Sequence, residues 1–222
     1  MLWLKESIEK SKNLRDSWSL NGIQILIKDK LPEKFDMKFV VNYINSRIPQ
    51  HLMEGVDIIY VGEFEEMERR DINAFFEDGA IYVTNEQDNE MDMIDDIIHE
   101  MAHATERQYM DQIYSGSIER EFMGKRERLF FILKSEGYNV SPVFRVKSEY
   151  DLEIDNFLYH EVGYDHLNTL VNGLFVSAYA STSLSEYFAR GFEEYFMGDV
   201  NYLRKISPVL FNILESLKNM EE

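Results

Sequence analysis

Asp95-Asp96-Ile97-Ile98-His99-Glu100-Met101-Ala102-His103-Ala104-Thr105 decides how the chain is read. Ile94, Ile97, Ile98, Met101 and Thr105 stand at i, i+3, i+4, i+7 and i+11, a single stripe of an amphipathic helix spanning residues 89–109. At about 100° per residue, His99 and His103 fall on one face a turn apart, so both imidazoles can reach one ion. Glu100 is displaced around the helix. Its carboxylate therefore lies beside the ion, where it can take a proton from a metal-activated water. The small residues Ala102 and Ala104 around His103 suit close packing near such a site.

Before this helix the pattern is mixed. Ile23, Ile25 and Ile27 alternate after an Asn21-Gly22 turn, Val40, Ile44 and Ile48 recur at helical spacing as far as Pro49, and Val56–Val61 and Ala80–Thr84 read as strands. After about residue 90 the apolar spacing is helical, with breaks near Gly137, Gly163, Gly173 and Gly198. Ser207-Pro208 reads as an N-cap followed by proline at the first helical position, opening a last helix with Ile213, Leu214 and Leu217 inward. Strands first and helices after predict an α+β fold. No internal repeat, low-complexity tract or Gly/Ser linker divides the 222 residues, so one domain over 1–222 is expected.

With 23 Lys and Arg against 41 Asp and Glu, the net charge is −18 and the pI about 4.7. A surface of this sign repels phosphate backbones and anionic lipid, so neither nucleic acid nor membrane is an expected partner. A protein or peptide substrate is, with a preference for basic segments if the charge extends over the cleft. Hydrophobic residues at 45% and aromatics at 14% are enough to build a core, which argues against a disordered acidic chain. Cysteine is absent, which leaves His and carboxylates as the metal-binding chemistry. Met1-Leu2-Trp3-Leu4 runs directly into Lys5-Glu6 without an apolar stretch, and no apolar run approaches the roughly 18 residues of a membrane helix. A cytoplasmic or otherwise non-classically delivered protein is expected.

Two histidines leave a catalytic zinc ion short of the usual three protein ligands. The extended His-Glu-x-x-His-x-x-Gly-x-x-His form is excluded, because Glu106 stands at the Gly position and Tyr109 at that of the last His. Downstream carboxylates, His160 and His166 remain as candidates. His160 and His166 are six residues apart, about 240° around one helix, with Gly163 between them. They read as structural or substrate-side. In Ser183-Leu184-Ser185-Glu186 the spacing is that of a capping box, in which Glu186 would serve the helix start.

His99-Glu100-x-x-His103, followed by Tyr179, six residues, and then Glu186-Tyr187-Phe188-Ala189 and Phe192, resembles the catalytic domain of the anthrax lethal factor family and the related Pro-Pro endopeptidases. These are zinc peptidases of the gluzincin type. The resemblance implies a zincin-like fold with one Zn2+ per chain, held by His99, His103 and Glu186. It also implies Glu100 as general base and Tyr179 as the phenol that donates to the oxyanion. The strand before the metal helix, Gly79-Ala80-Ile81-Tyr82-Val83, would be the sheet edge that pairs with extended substrate. Residues 110–178 make a longer helical insertion than the resemblance suggests. Arg190 stands where such enzymes often place an acidic partner for a ligand His; Glu193, Glu194, Asp95 or Asp96 could take that place. Tyr179 lies in a Ser/Thr-rich turn (Ser177, Ser181, Thr182, Ser183) expected to form a mobile loop over the site.

The expected activity is a zinc metalloendopeptidase, a hydrolase cutting a peptide bond through a metal-activated water. The competing expectation is a zincin-fold binding, structural or assembly protein that keeps its metal and cuts nothing. A base at Glu100 argues against it, as does the four-ligand habit of structural zinc.

Overall fold

Two short dipeptides shape the sheet. Asn21-Gly22 and Asp78-Gly79 each place both residues at positive φ, 47° and 96° in the first and 48° and 84° in the second. This is the backbone of the two-residue hairpin turn whose twist matches that of its flanking strands. The computed structural model describes residues 17–220, so the reading of residues 1–6 lies outside the described part. The chain divides into two compact units, 1–105 and 106–222.

In the first unit the turns join β1 (Ser17–Leu20) to β2 (Ile23–Ile27) and β4 (Ala74–Glu77) to β5 (Ala80–Val83) as antiparallel hairpins. Between them lie α1 (Met37–Arg47), β3 (Ile58–Val61) and α2 (Glu65–Arg70). The five described strands form one mixed sheet in the order β1-β2-β3-β5-β4, with β2, β3 and β5 parallel. Ile25, Ile59 and Ile81 are in register across the three parallel strands and fully buried, and Ile27, Val61 and Val83 form the next such row. Burying an aliphatic side chain of this kind contributes roughly 1.5–3 kcal/mol. On the other face Tyr82 stacks on Tyr60 and Phe75, with ring centroids 5.3 and 4.5 Å apart, and meets Phe64 edge-on.

This topology corrects one expectation. Ala80–Val83 is not a sheet edge: β3 pairs with one side of β5 and β4 with the other, while Gly79 lies in the turn. The physical reason is the Asp78-Gly79 reversal, which lays Ala74–Glu77 along the outer side of β5. The outer strands among the described residues are β1 and β4.

The His-containing helix is α3 (Glu90–Gln108). Asn89 caps it, its Oδ1 accepting from the backbone N–H groups of Met91 and Asp92. The expected stripe of Ile94, Ile97, Ile98, Met101 and Thr105 is buried throughout. The helix end is fixed from below: the Thr105 hydroxyl lies 2.8 Å from the Leu52 carbonyl and 2.9 Å from that of Met101. Gly55 presses on the same turn, and a Cβ there would stand 2.9 Å from the Ala104 carbonyl oxygen. Gly55→Ala is therefore expected to cost about 1–3 kcal/mol through overpacking, read as a lower urea midpoint. An unchanged midpoint would show that the contact relaxes freely.

The second unit is helical. It contains α4 (Met110–Ile113), α5 (Ser117–Ser135), α6 (Leu152–Asn156), a π-helical turn (Phe157–Val162) and α7 (Tyr164–Leu170). A 3-10 turn at Tyr179–Ser181 leads into α8 (Leu184–Met197), α9 (Val200–Ile206) and α10 (Pro208–Lys218). The fold class is α+β. Phe122 of α5, Phe175 and Tyr187 of α8 form an aromatic core cluster with centroids 5.5–6.1 Å apart. Pro208 takes the first position of α10 as expected, but the cap comes from elsewhere. The Glu121 carboxylate accepts from the Val209 and Leu210 N–H groups at 2.9 and 3.1 Å. Ser207 Oγ instead accepts from Lys125 Nζ at 2.9 Å. Among the described residues no helix is long and apolar enough to cross a membrane.

Candidate metal centre

Helical spacing brings the two imidazoles of α3 together. His99 and His103 are half-buried, their rings 4.9 Å apart and nearly perpendicular at 83°, with the two Nε2 atoms 3.3 Å from each other. Two nitrogens bound tetrahedrally at about 2.0–2.1 Å from one zinc ion are roughly 3.3–3.4 Å apart. The pair thus already has the length of one edge of a zinc tetrahedron. Glu100, between them in sequence, is buried at 7% exposure on a helix whose other buried positions, Thr105 apart, are apolar. A carboxylate kept there needs a polar role, because burying a charge is costly. Asp96, one of the candidates for orienting an imidazole, accepts a 2.9 Å hydrogen bond from Gln87 Nε2. Asp95 is exposed.

In the second unit Glu186 sits in the first turn of α8. Ser183 is the N-cap, and its Oγ accepts from the Glu186 backbone N–H at 3.1 Å, so the serine half of the capping box forms. That bond uses the backbone of Glu186, a different group from its carboxylate. The serine half of the box therefore does not compete with metal ligation by the carboxylate.

Tyr179 opens the 3-10 turn and is half-buried, its ring edge-on to Tyr164 at 6.1 Å and 5.4 Å from the Arg190 guanidinium. Burial, and after it the Glu186 charge, push the phenol well above the ordinary tyrosine range, against which Arg190 acts in the opposite sense. The phenol is consequently a hydrogen-bond donor at any neutral pH. Arg190 Nη1 donates to the buried Glu193 at 2.8 Å. The Ser/Thr-rich turn differs from the mobile loop expected. Ala180, Ser181, Thr182 and Ser183 are buried, Ser181 Oγ donates to the Ala178 carbonyl at 2.7 Å, and Thr182 Oγ1 donates to that of Tyr179 at 2.8 Å. Its hydroxyls serve to close the turn on itself.

His160 and His166 are exposed, packing near the rings of Tyr159 and Tyr138. Two tyrosines carry no signal in the sequence. Tyr164 donates to Asp155 at 3.0 Å while leaning on Tyr179. Tyr114 donates to Glu106, which also accepts from Ser185 Oγ at 2.7 Å, and its phenol is raised chiefly by burial, then by Glu106 and Glu186. No spacing distinguishes these two among 13 tyrosines. Glu106, which breaks the extended zinc motif, thus has a role of its own beside the first turn of α8.

No protein-family model matches this chain, and neither does any curated protein or solved structure.

Proposed function

We propose that this chain is a zinc-dependent endopeptidase of the zincin type. The observation that carries the reading is the His99–His103 pair at the length of a tetrahedral edge, with a buried Glu100 between them in sequence. The ligands are His99, His103 and Glu186, three half-buried residues that each offer one ligand atom to an ion. Three protein ligands with nitrogen and oxygen donors and no thiolate suit a catalytic zinc, which keeps a position open. Bound zinc supplies Lewis acidity, acidifying water and polarising a carbonyl.

The chain's own residues then divide the remaining work. Glu100 takes the proton from the attacking water and returns it to the leaving amine. Tyr179, held protonated by its surroundings, donates its phenolic hydrogen to the oxyanion that forms at the scissile carbonyl. An extended peptide can add to the described sheet only at β1 or β4, since both sides of β5 are taken. The acidic charge favours peptides carrying Lys or Arg near the cut bond; a cleavage profile depleted in these residues would count against that preference.

Metal analysis by mass spectrometry on the purified chain tests the reading, with about one zinc per chain expected after reconstitution. Absence of zinc would remove the peptidase proposal. In the zinc-loaded protein Tyr179→Phe is expected to lower kcat by about 10²-fold on a cleaved peptide with zinc content unchanged. An unaltered kcat would take Tyr179 out of the reaction.

A further inference from the structure

A charged side chain at the centre of the second unit has no place in a simple apolar core. Arg126, in the middle of α5, is 0% exposed, and its guanidinium lies 3.9 Å from the Phe144 ring centroid and 5.4 Å from that of Phe122. Its hydrogen bonds go to main-chain carbonyls: Nε donates to Phe144 at 3.1 Å, and Nη1 to Ser181 and Thr182 at 3.0 Å each. Burial lowers its pKa to about 10, with Asp151 acting in the other direction, so it remains a cation at neutral pH. Retaining a buried guanidinium is costly unless its donors are used. Here two of its bonds converge on one short turn.

That turn is the connection between Tyr179 and Glu186. Ser181 closes the 3-10 turn that Tyr179 opens, and Thr182 precedes Ser183, the N-cap whose Oγ receives the Glu186 N–H. Other fixings of the same stretch come from the backbone, from its own hydroxyls or from a neutral amide. Asn168 Oδ1 accepts from the Ala178 N–H at 2.7 Å, and the Ser148 carbonyl accepts from that of Leu184 at 2.7 Å. Arg126 binds the middle of the stretch, and binds it by two carbonyls at once.

We propose that Arg126 is a positioning residue, whose planar guanidinium sets the turn 179–183 and thereby the placement of the Tyr179 phenol and the Glu186 carboxylate. The proposal rests on the zinc reading of Glu186 given above. It also explains part of the helical stretch 110–178, in which α5 becomes the rigid bar from which the turn hangs. Lysine cannot replace Arg126 in full: an ammonium can hold the two adjacent carbonyls, but it has no Nε–H for the Phe144 carbonyl and no plane to lay on that ring.

The test uses the full chain with Arg126→Met and Arg126→Lys, the second being decisive if the first fails to fold. Two quantities are read well below the thermal midpoint: zinc affinity by competition with a chromophoric chelator, using the metal alone as probe, and amide hydrogen exchange in the metal-free protein. Either variant is expected to bind zinc about 10-fold or more weakly and to exchange faster across 179–186 than across α9 and α10. A staple that only stabilises the fold would lower the thermal midpoint and leave zinc affinity of the folded protein at the wild-type value; that result, or unchanged exchange across 179–186, overturns the proposal. Wild type and Glu186→Ala serve as controls. If both bind zinc equally, or neither binds it, the zinc reading of Glu186 has failed. If Glu186→Ala weakens binding while both Arg126 variants match wild type, only the positioning role has failed.

Discussion

Glu100→Gln is expected to reduce cleavage by about 10²–10⁴-fold while the chain still takes up one zinc ion, the range that removing a positioned general base typically produces. Glutamine keeps the shape and one hydrogen-bonding oxygen of the side chain but cannot accept the water proton at neutral pH. The helix should tolerate the change, because Glu100 is buried in α3 and Gln relieves the cost of a buried charge. The measurement is single-turnover cleavage of a peptide first identified with the zinc-loaded wild type from a diverse library. Wild-type cleavage by the variant would show that the proton is handled elsewhere.

His103→Ala is the second large effect, and it is one of binding. Changes to groups that merely orient metal ligands cost about 10–100-fold in affinity, so loss of a ligand itself should cost more than about 100-fold. Zinc at about 1,000 times its dissociation constant stabilises a folded protein by about 4 kcal/mol. The wild-type thermal midpoint should therefore rise on adding zinc, and that of His103→Ala should rise by no more than about a third as much, since a site weakened 100-fold keeps at most about 1.4 kcal/mol at the same zinc concentration. His99→Ala should behave alike, because the 3.3 Å Nε2 separation requires both rings. A variant that keeps the zinc-dependent rise would show that the imidazole it lacks is not a ligand.

Much of this is legible in the chain. The stripe from Ile94 to Thr105 predicts α3, and His99 and His103 inherit their convergence from that periodicity alone. Ile23, Ile25 and Ile27 reveal β2 because one face of the sheet is buried and alternation follows. β4 shows no such alternation: Ala74-Phe75-Phe76-Glu77 is an outer strand, and only the Asp78-Gly79 dipeptide marks its hairpin. The interior position of β5 follows from parallel pairing with β3, a long-range choice that local pattern does not encode. Arg126 is invisible for a different reason. A charged residue on a helix reads as a solvated face, and nothing in its neighbours announces three carbonyl oxygens arriving from distant stretches of chain. At Glu186 the sequence shows a cap and a ligand as alternatives, whereas the geometry lets backbone and carboxylate serve both.

The strand order has a kinetic consequence. Two-residue hairpins close in about 1–10 μs, so β1-β2 and β4-β5 can nucleate early and independently. Joining β2 to β3 in parallel requires closing the whole chain between Ile27 and Ile58, and the β3-β5 seam must bridge the hairpin strand β4. Such non-local pairings are slow, because loop entropy is lost before the contacts return it. The residues that brace the end of α3, Leu52 and Gly55, lie inside that same long loop. The helix that carries the histidine pair should gain this tertiary bracing only after the parallel seams have formed. Zinc present during refolding is then expected to slow unfolding without accelerating the refolding phase, the behaviour of a ligand that arrives after the rate-limiting barrier.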